Sequence, residues 1–119
     1  MASEPGPQGA LHFWHHVALD TVRDEDADLS ARQLAILLTV YLETPPHTIR
    51  GLADRLGVSK PVITRALNTM GTMGLCTRRR DETDRRNVLV QRTVEGTLYL
   101  DRMAENLVHN AHRLNAWSG

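Results

Sequence analysis

Residues 48–75 read TIRGLADRLGVSKPVITRALNTMGTMGL, and the punctuation inside this stretch decides the fold. Ile49, Leu52 and Leu56 recur at helical spacing before Gly57, and Val62, Ile63, Ala66, Leu67 and Met70 do so after it. Thr48 is placed to cap the first pattern, Gly57 supplies the left-handed conformation that ends it, and Val58 fills the turn. Ser59 is the expected N-cap of the second pattern. Because Pro61 has no N–H, the Ser59 hydroxyl is directed to the amide of Val62, and proline is tolerated where a first-turn N–H would be unpaired anyway. Gly74 closes this second helix. With its apolar positions turned inward, Lys60, Thr64, Arg65 and Asn68 are left for the outer face.

Downstream, Leu75 to Arg80 and Asn87 to Arg92 have strand character and are separated by a polar tip, Asp81 to Arg86. The tip belongs to RRRDETDRRN, residues 78–87, which crowds five arginines and three carboxylates into ten positions. Neutralising the acids would need fewer arginines, so some of these guanidinium groups are aimed at another partner.

Upstream, Ala10 to about Arg23 carries Leu11, Trp14, Val17, Ala18 and Val22 at helical spacing, ended by the acidic run at 24–28. Ser30 and Gln33 form a capping box for a following helix whose stripe is Leu34, Leu37, Leu38 and Tyr41, stopped by Pro45-Pro46. Residues 1–9, rich in Pro and Gly, read as a disordered tail. From Thr93 to about Ala116 a last helix carries Leu100, Met103, Leu107, Asn110, Leu114 and Trp117 at alternating spacings of three and four, a coiled-coil-like seam with one polar position.

The 119 residues, 41% hydrophobic and 24% charged, allow one domain with a modest core. There is no run of about 18 apolar residues and no signal-like start, which gives an expectation of a soluble, cytoplasmic protein without membrane association. Cys76 is the sole cysteine, so no internal disulfide can form, and it reads as a small buried hydrophobe. The formal net charge of zero conceals a segregation. Residues 50–92 hold ten Lys/Arg against four acids, a net +6, and the remainder carries −6. A polyanion is offered one face and discouraged from the other.

Two helices joined by a glycine-containing turn and followed by a basic hairpin make a winged helix-turn-helix, mainly α with a small β-hairpin wing. In such a fold the second helix, here residues 59–73, can enter a DNA major groove, where polar side chains reach base edges and cations neutralise phosphates. Ser59, Lys60, Pro61, Thr64 and Arg65 are the candidates; Arg65 suits guanine or a phosphate equally. The plain alternative for this face is ordinary solvated helix surface.

With the hairpin included, the stretch from Leu29 to Leu100 resembles the DNA-binding core of MarR-type transcriptional regulators. The most specific element is the wing, residues 78–92, where Asp84, Arg85 and Arg86 precede Val90, Thr93 and Gly96. The resemblance implies that Asp84 holds Arg86 for presentation to the minor groove, with Arg85 and Arg80 as further contacts. It also implies a homodimer built from the helices at 10–26 and 93–117 around a DNA-binding core at 29–92, although family members are usually longer. The alternative for the seam is packing within its own domain.

Double-stranded DNA is therefore the expected partner. Neither a cofactor nor a metal is assigned; the helical spacings of His12/His16 and His109/His112 lack a completing carboxylate or cysteine. A small-molecule effector is compatible with the sequence but is not predicted. No nucleophile with its base, paired carboxylates or phosphate-cradling glycine loop is present, so no catalytic residue is named. The competing reading is a winged-helix protein-interaction module that modulates another regulator without touching DNA, against which the five arginines of residues 78–87 weigh.

Overall fold

A computed structural model of the protein describes residues 6–24 and 27–118, with side chains described as far as Leu114. The described residues form α1 (Pro7–Arg23), α2 (Ala31–Leu42), α3 (Ile49–Leu56), α4 (Lys60–Thr72), β1 (Cys76–Arg80), β2 (Val88–Arg92) and α5 (Val94–Ser118). They divide into two compact units, one of residues 29–99 and one joining residues 1–28 to residues 100–119.

In the 29–99 unit the helix boundaries follow local chemistry. At α2 the Gln33 N–H donates to Ser30 Oγ at 3.1 Å while Gln33 Oε1 accepts from the Ser30 N–H at 2.8 Å, a complete capping box. Thr48 Oγ1 accepts from the Gly51 N–H at 2.9 Å and starts α3. Both α3 and α4 end in paired backbone bonds around a left-handed glycine: Val58 N–H to the Ala53 carbonyl beside Gly57 (φ 71°), and Leu75 N–H to the Met70 carbonyl beside Gly74 (φ 75°). These are Schellman ends, and each lets the chain turn sharply without stranding carbonyls. The start of α4 departs from expectation. Ser59 makes no side-chain cap; its carbonyl accepts from Val62 N–H at 3.1 Å and Ile63 N–H at 3.4 Å instead. With Pro61 lacking a donor, a tight backbone turn satisfies the first free amide and leaves the hydroxyl out of the helix start.

The core gathers Ile36, Leu37 and Val40 from α2, Leu52 and Ala53 from α3, and Ile63, Ala66, Leu67 and Met70 from α4. The α2 stripe is thus turned from the anticipated Leu34, Leu37, Leu38 and Tyr41, since α3, α4 and β2 all pack on this helix and widen its buried arc. Cys76 is buried at the start of β1, and burial pushes its thiol pKa up. β1 and β2 pair antiparallel with Cys76 opposite Arg92 and Arg80 opposite Val88. The segment before α3 joins them: Thr48 bridges Leu89, and Val90 N–H donates to the His47 carbonyl at 2.8 Å, pinning the hairpin to the first helix of the turn.

Tyr41 organises the base of the wing. Its hydroxyl accepts from Thr93 N–H at 2.9 Å and directs its hydrogen between the Leu75 carbonyl at 3.0 Å and the Thr93 carbonyl at 3.1 Å. Thr93 Oγ1 donates to the Gly74 carbonyl at 2.7 Å and accepts from Gly96 N–H at 3.0 Å, capping α5. Gly96 lies so close that a Cβ would collide with Tyr41 Oη and the Leu75 carbonyl oxygen. Thus one phenol ties α2, the α4–β1 corner and the β2–α5 corner together.

In the other unit α1 begins at Pro7, earlier than the anticipated Ala10, so residues 7–9 are helix rather than tail; residues 1–5 of that tail lie outside the described residues. Of the α1 apolar positions only Val17 is buried, while Leu11, Trp14 and Val22 are 66%, 58% and 74% exposed. Asn110, the polar position of the seam, is fully buried and donates to Asp20 Oδ2 at 3.0 Å and to Asn106 Oδ1 at 2.7 Å. Leu100, Met103, Leu107 and Leu114 are half-buried, and the Trp117 side chain lies outside the described residues.

Candidate nucleic-acid interface

On α4 the buried residues Ile63, Ala66, Leu67 and Met70 lie along one side, which turns positions 61, 64, 65 and 68 to the other. Ser59, Lys60, Pro61, Arg65 and Asn68 are exposed and Thr64 is half-buried. The face is hydrophilic, carries two cations at Lys60 and Arg65, and presents its polar groups from the helix N-terminus onward.

The hairpin tip is built by two aspartates with different tasks. Asp81 Oδ1 accepts from both the N–H and the hydroxyl of Thr83, at 2.9 and 2.7 Å, and so shapes the loop. Its carboxyl is held below the usual range by those bonds. Asp84 accepts from the Arg86 guanidinium through two bonds, Nε to Oδ1 at 3.0 Å and Nη2 to Oδ2 at 3.1 Å, and from the Arg86 backbone N–H at 3.2 Å. The Arg86 hydrogen bonds hold the Asp84 carboxyl below its ordinary value, and Arg50 contributes a smaller electrostatic pull. Arg86 nevertheless keeps 85% of its side chain exposed. A planar fork gripped at one edge has lost much of its rotamer freedom while its remaining N–H groups stay available, which is preorganisation.

Other basic residues of the +6 segment have different assignments. Arg80 Nη1 donates to the Arg85 carbonyl at 2.7 Å, bracing the tip from within, whereas Arg85 is exposed. Arg78 Nη2 donates to Asn68 Oδ1 at 2.8 Å, linking β1 to the outer face of α4. Arg55 pairs with Glu43 through both carboxylate oxygens, at 3.0 Å from Nε to Oε1 and 2.9 Å from Nη2 to Oε2, and Arg92 donates to the Val40 carbonyl at 3.2 Å and lies over the Tyr41 ring. These last two arginines hold the unit together. The Asn68–Arg78 link and the influence of Arg50 on Asp84 had no sequence signal, because each depends on how the hairpin docks. Among the described residues no group of three or more His, Cys, Asp or Glu could hold a metal ion. No described helix is long and apolar enough to cross a membrane.

The order of elements agrees with an independent comparison: the sequence profile of the MarR family matches residues 29–88, half of the chain. The chain belongs to the MarR family. Solved structures agree in fold. Transcriptional regulator Tm0710 from Thermotoga maritima superimposes with a TM-score of 0.71 at 22% identity over 94% of this chain and 73% of that one. The regulator BldR from Sulfolobus solfataricus gives 0.63 at 28% identity, covering 90% of this chain and 76% of its own. The repressor CouR, solved bound to a 23-mer DNA duplex, gives 0.68 at 26% identity, covering 94% and 74%. No curated protein matches the chain. As a MarR-family winged helix the chain is a DNA-binding transcriptional regulator.

Proposed function

We propose that the protein acts by laying α4 in the major groove of duplex DNA while the wing, residues 78–92, enters the adjoining minor groove. Ser59, Lys60, Pro61, Thr64 and Arg65 supply the helix contacts; Arg86 leads the wing, oriented by Asp84, with Arg85 on a phosphate and Arg80 stiffening the tip. The observation that carries this reading is the Arg86 guanidinium, gripped along one edge by Asp84 yet 85% exposed. Nothing in hairpin stability requires an exposed cation to be held so firmly, whereas a narrow minor groove, with its enhanced negative potential, takes up such a group readily. The likeness to CouR, a repressor solved on DNA, supports the same placement.

The protein works as a homodimer in the cytoplasm and has no catalytic role. The exposed Leu11, Trp14 and Val22 of α1 support the dimer, since a stripe of this kind is costly to leave wet. Two copies then present two α4 helices to half-sites about 10 base pairs apart on a pseudo-palindrome.

Selection from a random duplex pool, followed by fluorescence anisotropy on the winning sequence, tests this. Enrichment of a two-fold repeated site, with affinity falling steeply as salt rises through counterion release, is the outcome required. Binding that ignores both sequence and salt would transfer support to a protein-interaction module.

A further inference from the structure

We infer that Asn68 and Arg78 together form a donor-only reader that selects guanine over adenine at one position of each half-site. The inference rests on the placement of α4 proposed above and concerns two residues which that placement left without a role.

Asn68 lies four residues after Thr64 and three after Arg65, opposite the buried stripe of α4, so it shares their face. Its amide is ambivalent in isolation. The oxygen accepts, the nitrogen donates, and an asparagine so presented pairs bidentately with adenine, accepting from N6 and donating to N7.

Arg78 removes that ambivalence. A guanidinium carries donors only, so the Asn68 atom that it meets at 2.8 Å is necessarily the acceptor Oδ1. The amide is thereby oriented with its NH2 outward, and a fixed positive charge stands beside it. The adenine N6 amino group would meet a partly occupied acceptor and a neighbouring cation. Guanine presents two acceptors, O6 and N7, at the same edge of the groove, which suit an outward NH2 and the remaining N–H groups of Arg78.

The surroundings leave this pairing in control of both side chains. Asn68 and Arg78 stand on an open groove of about 540 Å³ between the end of α4 and β1, shared with Gly71, Thr72, Cys76 and Thr77, and both are exposed. Within the described residues the hydrogen bond to Asn68 is what fixes the Arg78 head.

The test is parallel selection and sequencing of duplexes bound by the wild-type protein, Arg78→Leu and Asn68→Ala, with circular dichroism confirming that each variant is folded. The wild type is expected to enrich guanine at one position per half-site. Arg78→Leu returns the acceptor to Asn68, and that position shifts toward adenine by about ten-fold, in the range carried by a good bidentate base contact. Asn68→Ala loses the guanine preference without gaining adenine. Unchanged base preferences in both variants, with affinity lowered equally on every sequence, would make Arg78 a phosphate contact and overturn the inference while leaving the regulator intact. A wild type that enriches no sequence at all would overturn the groove placement and this inference with it.

Discussion

Replacing Tyr41 with phenylalanine keeps the ring and deletes one oxygen, yet that oxygen is the point at which three parts of the winged helix meet. Its loss strands the Thr93 N–H, which donates to it at 2.9 Å, and releases the carbonyl of Leu75 at 3.0 Å. An unsatisfied buried donor costs about 1–3 kcal/mol and a neutral hydrogen bond contributes about 1 kcal/mol net. Thr93 and Tyr41 are only half-buried, so water recovers part of the loss and the lower half of that range applies. The expected destabilisation is about 2 kcal/mol. With a urea dependence of about 1–3 kcal/mol per molar, the unfolding midpoint should fall by roughly 1 M. Urea titration followed by circular dichroism measures it directly. Thr39→Ala is the control: that hydroxyl donates to the Ala35 carbonyl on its own helix, and a hydrogen bond of this exposed kind shifts stability by no more than about 0.5 kcal/mol. Equal midpoints for Tyr41→Phe and wild type would show the hydroxyl to be freely exchanged with water and refute its role as the anchor of the wing base.

Two further outcomes follow from the same geometry. Gly96→Ala should cost more than Tyr41→Phe, about 3–5 kcal/mol, because its methyl must displace both the phenol and the backbone carbonyl of Leu75; thermal unfolding of the two variants gives the order, and only partial rescue is expected in the double variant. The Asp84 carboxyl, depressed by the Arg86 hydrogen bonds, should titrate below the ordinary aspartate range, so that the grip on Arg86 is intact at neutral pH and is lost only as pH falls through that lowered value. Carboxyl-detected NMR titration should show the midpoint moving upward in Arg86→Ala, and an identical midpoint in both proteins would remove the grip.

What the sequence disclosed and what it concealed divide along a physical line. Signals that act within a few residues were legible: the Ser30–Gln33 box, Thr48 as a cap, left-handed Gly57, Gly74 as a helix end, and the strands on either side of the wing tip. Interactions between distant segments were not. Tyr41 reaches residues 34 and 52 positions away, and Arg55 meets Glu43 twelve positions back, so neither leaves a local pattern. The α2 stripe was turned for the same reason, since periodicity finds a face but does not say how many elements will cover it. Ser59 shows the converse limit: a good capping residue in the right place goes unused when the backbone turn satisfies the first free amide.

At the wing the charged side chains divide their tasks. Asp84 grips Arg86 as the family resemblance implied, whereas Asp81 serves the loop backbone at Thr83, and Arg80 is directed to the Arg85 carbonyl. The ten cations of residues 50–92 are therefore not one undifferentiated patch. Arg55 and Arg92 maintain the fold, Arg80 shapes the tip, and Lys60, Arg65, Arg85 and the Asp84-gripped Arg86 are exposed.

The affinity of Arg86→Ala and Asp84→Ala for the selected duplex, measured by anisotropy across a salt series, tests the role of the gripped arginine most directly. Arg86→Ala should weaken binding strongly and flatten the dependence of log K on log salt, and Asp84→Ala should weaken it less, since the guanidinium remains but is no longer held. Wild-type affinity and wild-type salt dependence in Arg86→Ala would contradict the claim that the wing's gripped arginine engages DNA.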